Sequence, residues 1–316
     1  MANTAFLFPG QGAQYVGMGH DLYERFPEAR PRFEAAAALL GAGFTGRMFG
    51  AGQEAEDAEQ YLKQTEVTQP ALFVHSLAAM AVLEKHGVLP DMVAGHSLGE
   101  YSALAAAGAV SYEDGLRVVA LRGRLMATAG DRRPGTMAAV LALDDAAIEA
   151  VCRDVSATDG LVVQPANFNA PGQVVISGDV EAVAQAMEHA IARGARRVVP
   201  LSVGGAFHSP LMEHAREGLA EALTTLTLRT PRCPVYLNVT AAPTTDPEAI
   251  RARLLEQLTA PVLWAQTLQR MQADGATRFV EVGAGSVLSG LVRRTLGRDV
   301  ETATAGNAEE LQTLIA

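Results

Sequence analysis

Gly95-His96-Ser97-Leu98-Gly99 sets a serine between two glycines, after the apolar run Met92-Val93-Ala94 and before Glu100–Ala107, a stretch of mostly good helix formers. A G-x-S-x-G between a strand and a helix is the pattern of a nucleophile elbow. The glycines allow a sharp turn without a Cβ clash, and the following helix aims unpaired N–H groups at the spot where an oxyanion would develop. The pattern predicts Ser97 as a nucleophile; a plain tight βα turn has the same spelling. A serine nucleophile requires a base, and the chain has seven histidines. His20, His75, His86, His189 and His214 fall within or beside helical patterns, as packing or surface residues do. His96 lies inside the elbow, where its ring does not easily reach the neighbouring hydroxyl. His208 stands in Val203-Gly204-Gly205-Ala206-Phe207-His208-Ser209-Pro210, a small-residue loop between a strand and a helix. α/β enzymes keep their sites in such loops, so His208 is either the base or a capping or core histidine.

Gly10-Gln11-Gly12, after the first strand, is a second exposed turn able to offer one oxyanion N–H, with that of Leu98 as the other. It is no phosphate loop, because no Gly-Lys-Ser/Thr follows, and Gly283-Ala284-Gly285 is too short for a dinucleotide fingerprint. Arg122, among apolar residues in Val119–Met126, suits a bidentate grip on a carboxylate; an ordinary solvated or snorkelling helix arginine fits the same pattern. Arg193, Arg196 and Arg197 cluster at a helix end, where cations are favoured with or without a partner.

The elements that must position these residues alternate between strand and helix, which predicts an α/β fold with a largely parallel sheet. Thr4–Phe8 reads as the first strand. Helical segments follow over Asp21–Leu40, interrupted at Pro27 and Pro31, and then a helix capped by Thr68 with Pro70 in its first turn. After the elbow comes a helix over Tyr112–Ala129 and a polar linker from Gly130 to Gly135. The middle reads as strand Thr136–Leu143, helix Asp145–Val155, strands Val162–Asn167 and Val174–Gly178, helix Val180–Arg193 and strand Arg196–Leu201. That β-α-β-β-α-β order is ferredoxin-like. It predicts a small domain at 131–203 inserted into a larger one made of 1–130 and 204–316. A helix near Pro210–Thr225, strands near Val235–Asn238 and Arg278–Val282, and a helix over Val287–Leu296 complete the larger part.

A chain of 316 residues can bury a full core. Its 49% apolar and 19% charged residues are ordinary for a globular enzyme, and a formal charge of −10 argues against general nucleic-acid binding. The two cysteines, Cys152 and Cys233, have no metal-ligand spacing. With no signal-peptide pattern and no stretch approaching the ~20 apolar residues of a membrane helix, a cytoplasmic location is expected.

Taken together and in order, Phe8-Pro9-Gly10-Gln11-Gly12, Thr68-Gln69-Pro70-Ala71, Gly95–Glu100, Arg122-Gly123, Gly205–Ser209 and Glu281-Val282-Gly283 closely resemble the malonyl-CoA:acyl carrier protein transacylases and the related acyltransferases of polyketide synthases. The resemblance spans essentially the whole chain and implies an α/β-hydrolase-like core with a ferredoxin-like insertion. It implies Ser97 as nucleophile, His208 as general base, and Gln11 and Leu98 as oxyanion donors. Gln257 matches the glutamine whose backbone carbonyl orients the histidine. Arg122 matches the arginine that holds the malonyl carboxylate, and Phe207 with Leu98 matches the malonyl-selecting pattern. Thr259-Ala260 departs from the Tyr-Asn that many bacterial relatives carry. The implied partners are malonyl-CoA and an acidic acyl carrier protein, docking on Arg193, Arg196 and Arg197, with no cofactor, metal, nucleic acid or membrane and a monomeric enzyme. A discrete polyketide-synthase acyltransferase would share every residue named, and a hydrolase of acyl-carrier thioesters is the rival reaction.

Overall fold

In the computed structural model, which describes residues 3–52, 54–157 and 160–316, ten strands form two sheets. In chain order they are β1 (Asn3–Phe8), β2 (Met92–Gly95), β3 (Gly135–Leu141), β4 (Val163–Ala170), β5 (Gln173–Asp179), β6 (Arg197–Pro200), β7 (Val235–Tyr236), β8 (Pro243–Thr244), β9 (Ala276–Val282) and β10 (Glu301–Ala305). The larger sheet has the order β10-β9-β1-β2-β7-β8 and is parallel except for β8. Helices cover both of its faces, so β2 and the last four residues of β1 are buried throughout, which is why they read as unbroken apolar runs. Phe8 pairs with Gly95, so the loops after β1 and β2 leave the sheet side by side. Those loops carry Gln11 and Ser97.

The second sheet, β4-β5-β3-β6, is antiparallel and lies between Gly135 and Pro200. Its helices Asp145–Ser156 and Val180–Ala192 pack Ile148, Val151, Val155, Val183 and Ala186 against Val140, Val163 and Ile176. β4 is also stitched to the chain that follows Gln257: Phe168 N–H donates to the Val262 carbonyl at 2.9 Å, and Val262 N–H to the Ala166 carbonyl at 2.8 Å.

Three expectations change. The helix placed after Thr68 begins a turn earlier and spans Thr65–Lys85, with Pro70 inside it. Thr68 is no cap: its hydroxyl donates to the Leu62 carbonyl. Against the expectation that no stretch approaches membrane-helix length, this helix of 21 residues has the length and composition to cross a membrane; 89% of its most apolar stretch is buried inside the fold, making it a core helix. Within the predicted linker, Ala129–Arg132 forms a helical turn, and Arg133 then grips Asp179 through Nε and Nη2, each at 2.6 Å.

Candidate active site

The elbow is built by close approach. A Cβ on Gly95 would lie 1.9 Å from the Gly99 carbonyl carbon, and one on Gly99 would lie 2.0 Å from the Phe8 carbonyl oxygen. Only glycine lets β1, β2 and the helix Gly99–Ala106 meet this tightly. The turn holds Ser97 at φ 51°, a left-handed conformation that costs a non-glycine residue energy and is found at over-determined functional positions. His208 has the same character, at φ 57°.

Ser97 Oγ lies 2.8 Å from His208 Nε2, and His208 Nδ1 lies 2.8 Å from the Gln257 carbonyl. A carbonyl only accepts, so Nδ1 carries the proton and Nε2 presents its lone pair to the serine hydroxyl. Burial, with the Arg122 charge second, lowers the His208 pKa to about 3, so the imidazole is neutral at physiological pH and able to take a proton. Gln164 of β4 fixes the loop from the other sheet by donating to the His208 carbonyl at 2.8 Å and the Thr259 carbonyl at 3.2 Å. Thr259 therefore contributes a main-chain carbonyl that survives the departure from Tyr-Asn.

Arg122 is no solvated helix arginine: it is 1% exposed and aims into the site. Its Nη1 donates to Gln69 Oε1 at 2.7 Å, and its Nη2 to Gln257 Oε1 at 2.9 Å and Ser97 Oγ at 3.1 Å. Its Nε has no acceptor among the described residues. The guanidinium sits 5.6 Å from the Tyr101 ring centroid. Gln11, Leu98, Ser97, Arg122, Phe207 and His208 all line one cavity of about 190 Å³ between the two sheets, with Met137 and Val175 facing them from the second. Neither the Gln11 nor the Leu98 N–H donates to a protein acceptor among the described residues.

His96 turns away from Ser97, as its place in the elbow suggested: its Nε2 meets Asn169 Oδ1 at 2.7 Å. Arg193, Arg196 and Arg197 are exposed and are not part of the cavity. Arg193 is tied to Asp154 at 2.6 Å, while β6 runs from Arg197 to just before Leu201, which lines the cavity. No group of three or more acidic, histidine or cysteine side chains able to hold a metal occurs among the described residues.

Gln69, Asn238, Glu100 and Gln164 also serve the site, though no pattern of single residues marks them. Gln69 and Glu100 fall inside the motifs Thr68–Ala71 and Gly95–Glu100, so their neighbourhood is legible in the sequence although their partners are not. Asn238 closes an apolar strand run, and Gln164 lies on the other sheet; only folding brings them near.

A half-buried serine paired with a buried histidine, with a buried guanidinium beside them and two N–H groups alongside that have no protein acceptor among the described residues, defines a serine-dependent acyl-transferring enzyme. Comparison with known proteins gives the same answer. The acyl transferase domain model matches residues 5–311. The malonyl CoA-acyl carrier protein transacylase of Bacillus subtilis (strain 168) is 42% identical over 315 residues, covering 100% of this chain and 97% of that protein. An acyl carrier protein S-malonyltransferase from Vibrio cholerae superimposes with a TM-score of 0.92 at 38% identity, covering 99% of this chain and 100% of that one. A malonyl-transacylase solved in complex with its type II PKS acyl-carrier protein also gives 0.92, at 37% identity and 99% coverage of both chains. The chain belongs to the acyl transferase domain family, in its malonyl-CoA:acyl carrier protein transacylase branch.

Proposed function

We propose that the protein transfers malonyl groups from malonyl-CoA to the phosphopantetheine thiol of an acyl carrier protein through a malonyl-Ser97 ester. The observation that carries this reading is the buried Arg122 guanidinium 3.1 Å from the Ser97 hydroxyl. A cation at that place suits an acyl group ending in a carboxylate and has no use in an apolar ester pocket.

His208 Nε2 accepts the Ser97 proton as Oγ attacks the thioester carbonyl, and the oxyanion is received by the Gln11 and Leu98 N–H groups. Collapse breaks the C–S bond, and the CoA thiolate leaves with the proton from His208. The carrier thiol then gives its proton to His208, attacks the ester, and releases Ser97 with that proton restored. The Gln257 carbonyl stands where a triad would have an acid, holding the imidazole in its tautomer without a formal charge. A thiolate is a good leaving group, so less stabilisation of the imidazolium is needed. Phe207, Met126 and Val203 supply an apolar wall, and a neighbouring cavity of about 150 Å³ sharing Gln11, His96 and Asn169 would hold the pantetheine arm. No step calls for a cofactor.

Arg196 and Arg197, with Arg193 behind its Asp154 pair, form the docking face for the acidic carrier. The split into 1–130 with 204–316 and an inserted 131–203 belongs to this reading, supported by the separate antiparallel sheet within that insertion. A cytoplasmic location fits the free thiols of Cys152 and Cys233. The test is two-substrate kinetics. Parallel double-reciprocal lines for malonyl-CoA and holo carrier protein, lost in Ser97→Ala, are expected; intersecting lines would rule out the covalent intermediate.

A further inference from the structure

Beneath the reacting pair lies a carboxyl that the mechanism above does not use. Glu100 is 0% exposed, three residues after Ser97 on the elbow helix. Its Oε2 accepts two hydrogen bonds, from Gln257 Nε2 at 2.8 Å and from Asn238 N–H at 3.1 Å. Each of these neighbours holds a different part of the site. Asn238 accepts the Ser97 N–H through Oδ1 and donates to the Gly95 carbonyl through Nδ2, both at 2.7 Å, bracketing the elbow on either side of His96. Gln257 donates to the Ser97 carbonyl at 3.0 Å, accepts from Arg122, and offers its own carbonyl to His208. The Gln257 amide has one consistent orientation, because a guanidinium only donates and so must face its oxygen, leaving the nitrogen for Glu100.

We propose that Glu100 is the positioning residue of this site, fixing Gln257 and Asn238 together so that Ser97, His208 and Arg122 share one geometry. It touches no reacting atom and acts through those two amides. The role requires an acceptor oxygen at a set position rather than a charge. Burial pushes the Glu100 pKa up to about 7, and either protonation state retains a lone pair for both donors.

This rests on the proposed Ser97 chemistry and separates from it experimentally. Glu100→Gln keeps an acceptor oxygen at full reach without charge, while Glu100→Asp keeps charge but withdraws the oxygens by about one C–C bond, ~1.5 Å. Both changes are small enough for a folded protein, checked by melting temperature. The expected result with malonyl-CoA is a fall in kcat of about 100-fold for Glu100→Asp, with KM within about threefold of wild type. Glu100→Gln should restore kcat to within about fivefold of wild type. A double-mutant cycle with Gln257→Ala should show coupling, because one change acts through the other. The reverse order, with Asp active and Gln impaired, or strictly additive effects, would overturn the inference. A wild-type protein that forms no malonyl ester at all would instead count against the function.

Discussion

Arg122 does two things at the scale of single residues. It waits in the cavity with Nε unpaired among the described residues, and its charge helps hold the His208 imidazole neutral. A hydrogen bond to a charged partner contributes about 1.5–3 kcal/mol, or roughly a 10- to 100-fold preference for malonyl over acetyl thioesters. Arg122→Ala should flatten that preference by about this factor while Ser97 still acylates; a mutant that keeps the preference would refute the role of Arg122. His208→Ala should slow acylation by about 10²- to 10⁴-fold, measured as single-turnover ester formation. Because the His208 pKa lies near 3, kcat/KM should show no acid limb near the ordinary histidine value of about 6.5. In Arg122→Ala an acid limb should move upward, since one cause of the depression is gone.

At the scale of elements, the strand ends do the positioning. β1 delivers Gln11, β2 delivers Ser97, and the stitching of β4 to Val262 holds the carbonyl that orients His208. Gly99→Ala should therefore disrupt the elbow, because its Cβ would strike the Phe8 carbonyl; loss of esterification with a lowered melting temperature is expected. The ferredoxin-like strand order and the elbow were legible because period, turn glycines and apolar runs are local signals. The start of the helix at Thr65 was not, because Thr68-Gln69-Pro70 imitates a cap and first turn while tertiary burial extends the helix backwards through Pro70. The short helices Gly43–Met48 and Ala55–Lys63, and the late helices Pro247–Gln257 and Trp264–Ala273, also escaped a coarse reading of periodicity. Ser97 and His208 could be singled out from loop chemistry, whereas Gln257 came through resemblance alone: a main-chain carbonyl has no spelling. On the proposed docking face, charge reversal at Arg193, Arg196 and Arg197 should raise the KM for carrier protein and leave acylation by malonyl-CoA unchanged. An unchanged carrier KM would discard that face.

The whole molecule carries its buried groups into its pH response. His208 and His75 have pKa values lowered to about 3 and about 4, so the unfolded chain binds protons that the folded one refuses as pH falls below about 6.5. Their contribution to stability is present above that value and is lost progressively toward pH 3–4. Glu100, raised to about 7, has the opposite sign: its contribution is complete below the unfolded carboxylate value and is lost as pH rises through 7. The two histidines outweigh it in acid, so the melting temperature should fall from about pH 6.5 toward pH 4, and His75→Gln should shallow that slope. A slope unchanged in that variant would remove His75 from the account. The central claim is covalent transfer through Ser97, and the most direct measurement is the intact mass of the protein after mixing with malonyl-CoA, and again after adding holo carrier protein. The account predicts one malonyl adduct, absent in Ser97→Ala, persistent in buffer and cleared by the carrier. An adduct lost to water alone would make the protein a hydrolase, and no adduct from malonyl-CoA would contradict the substrate.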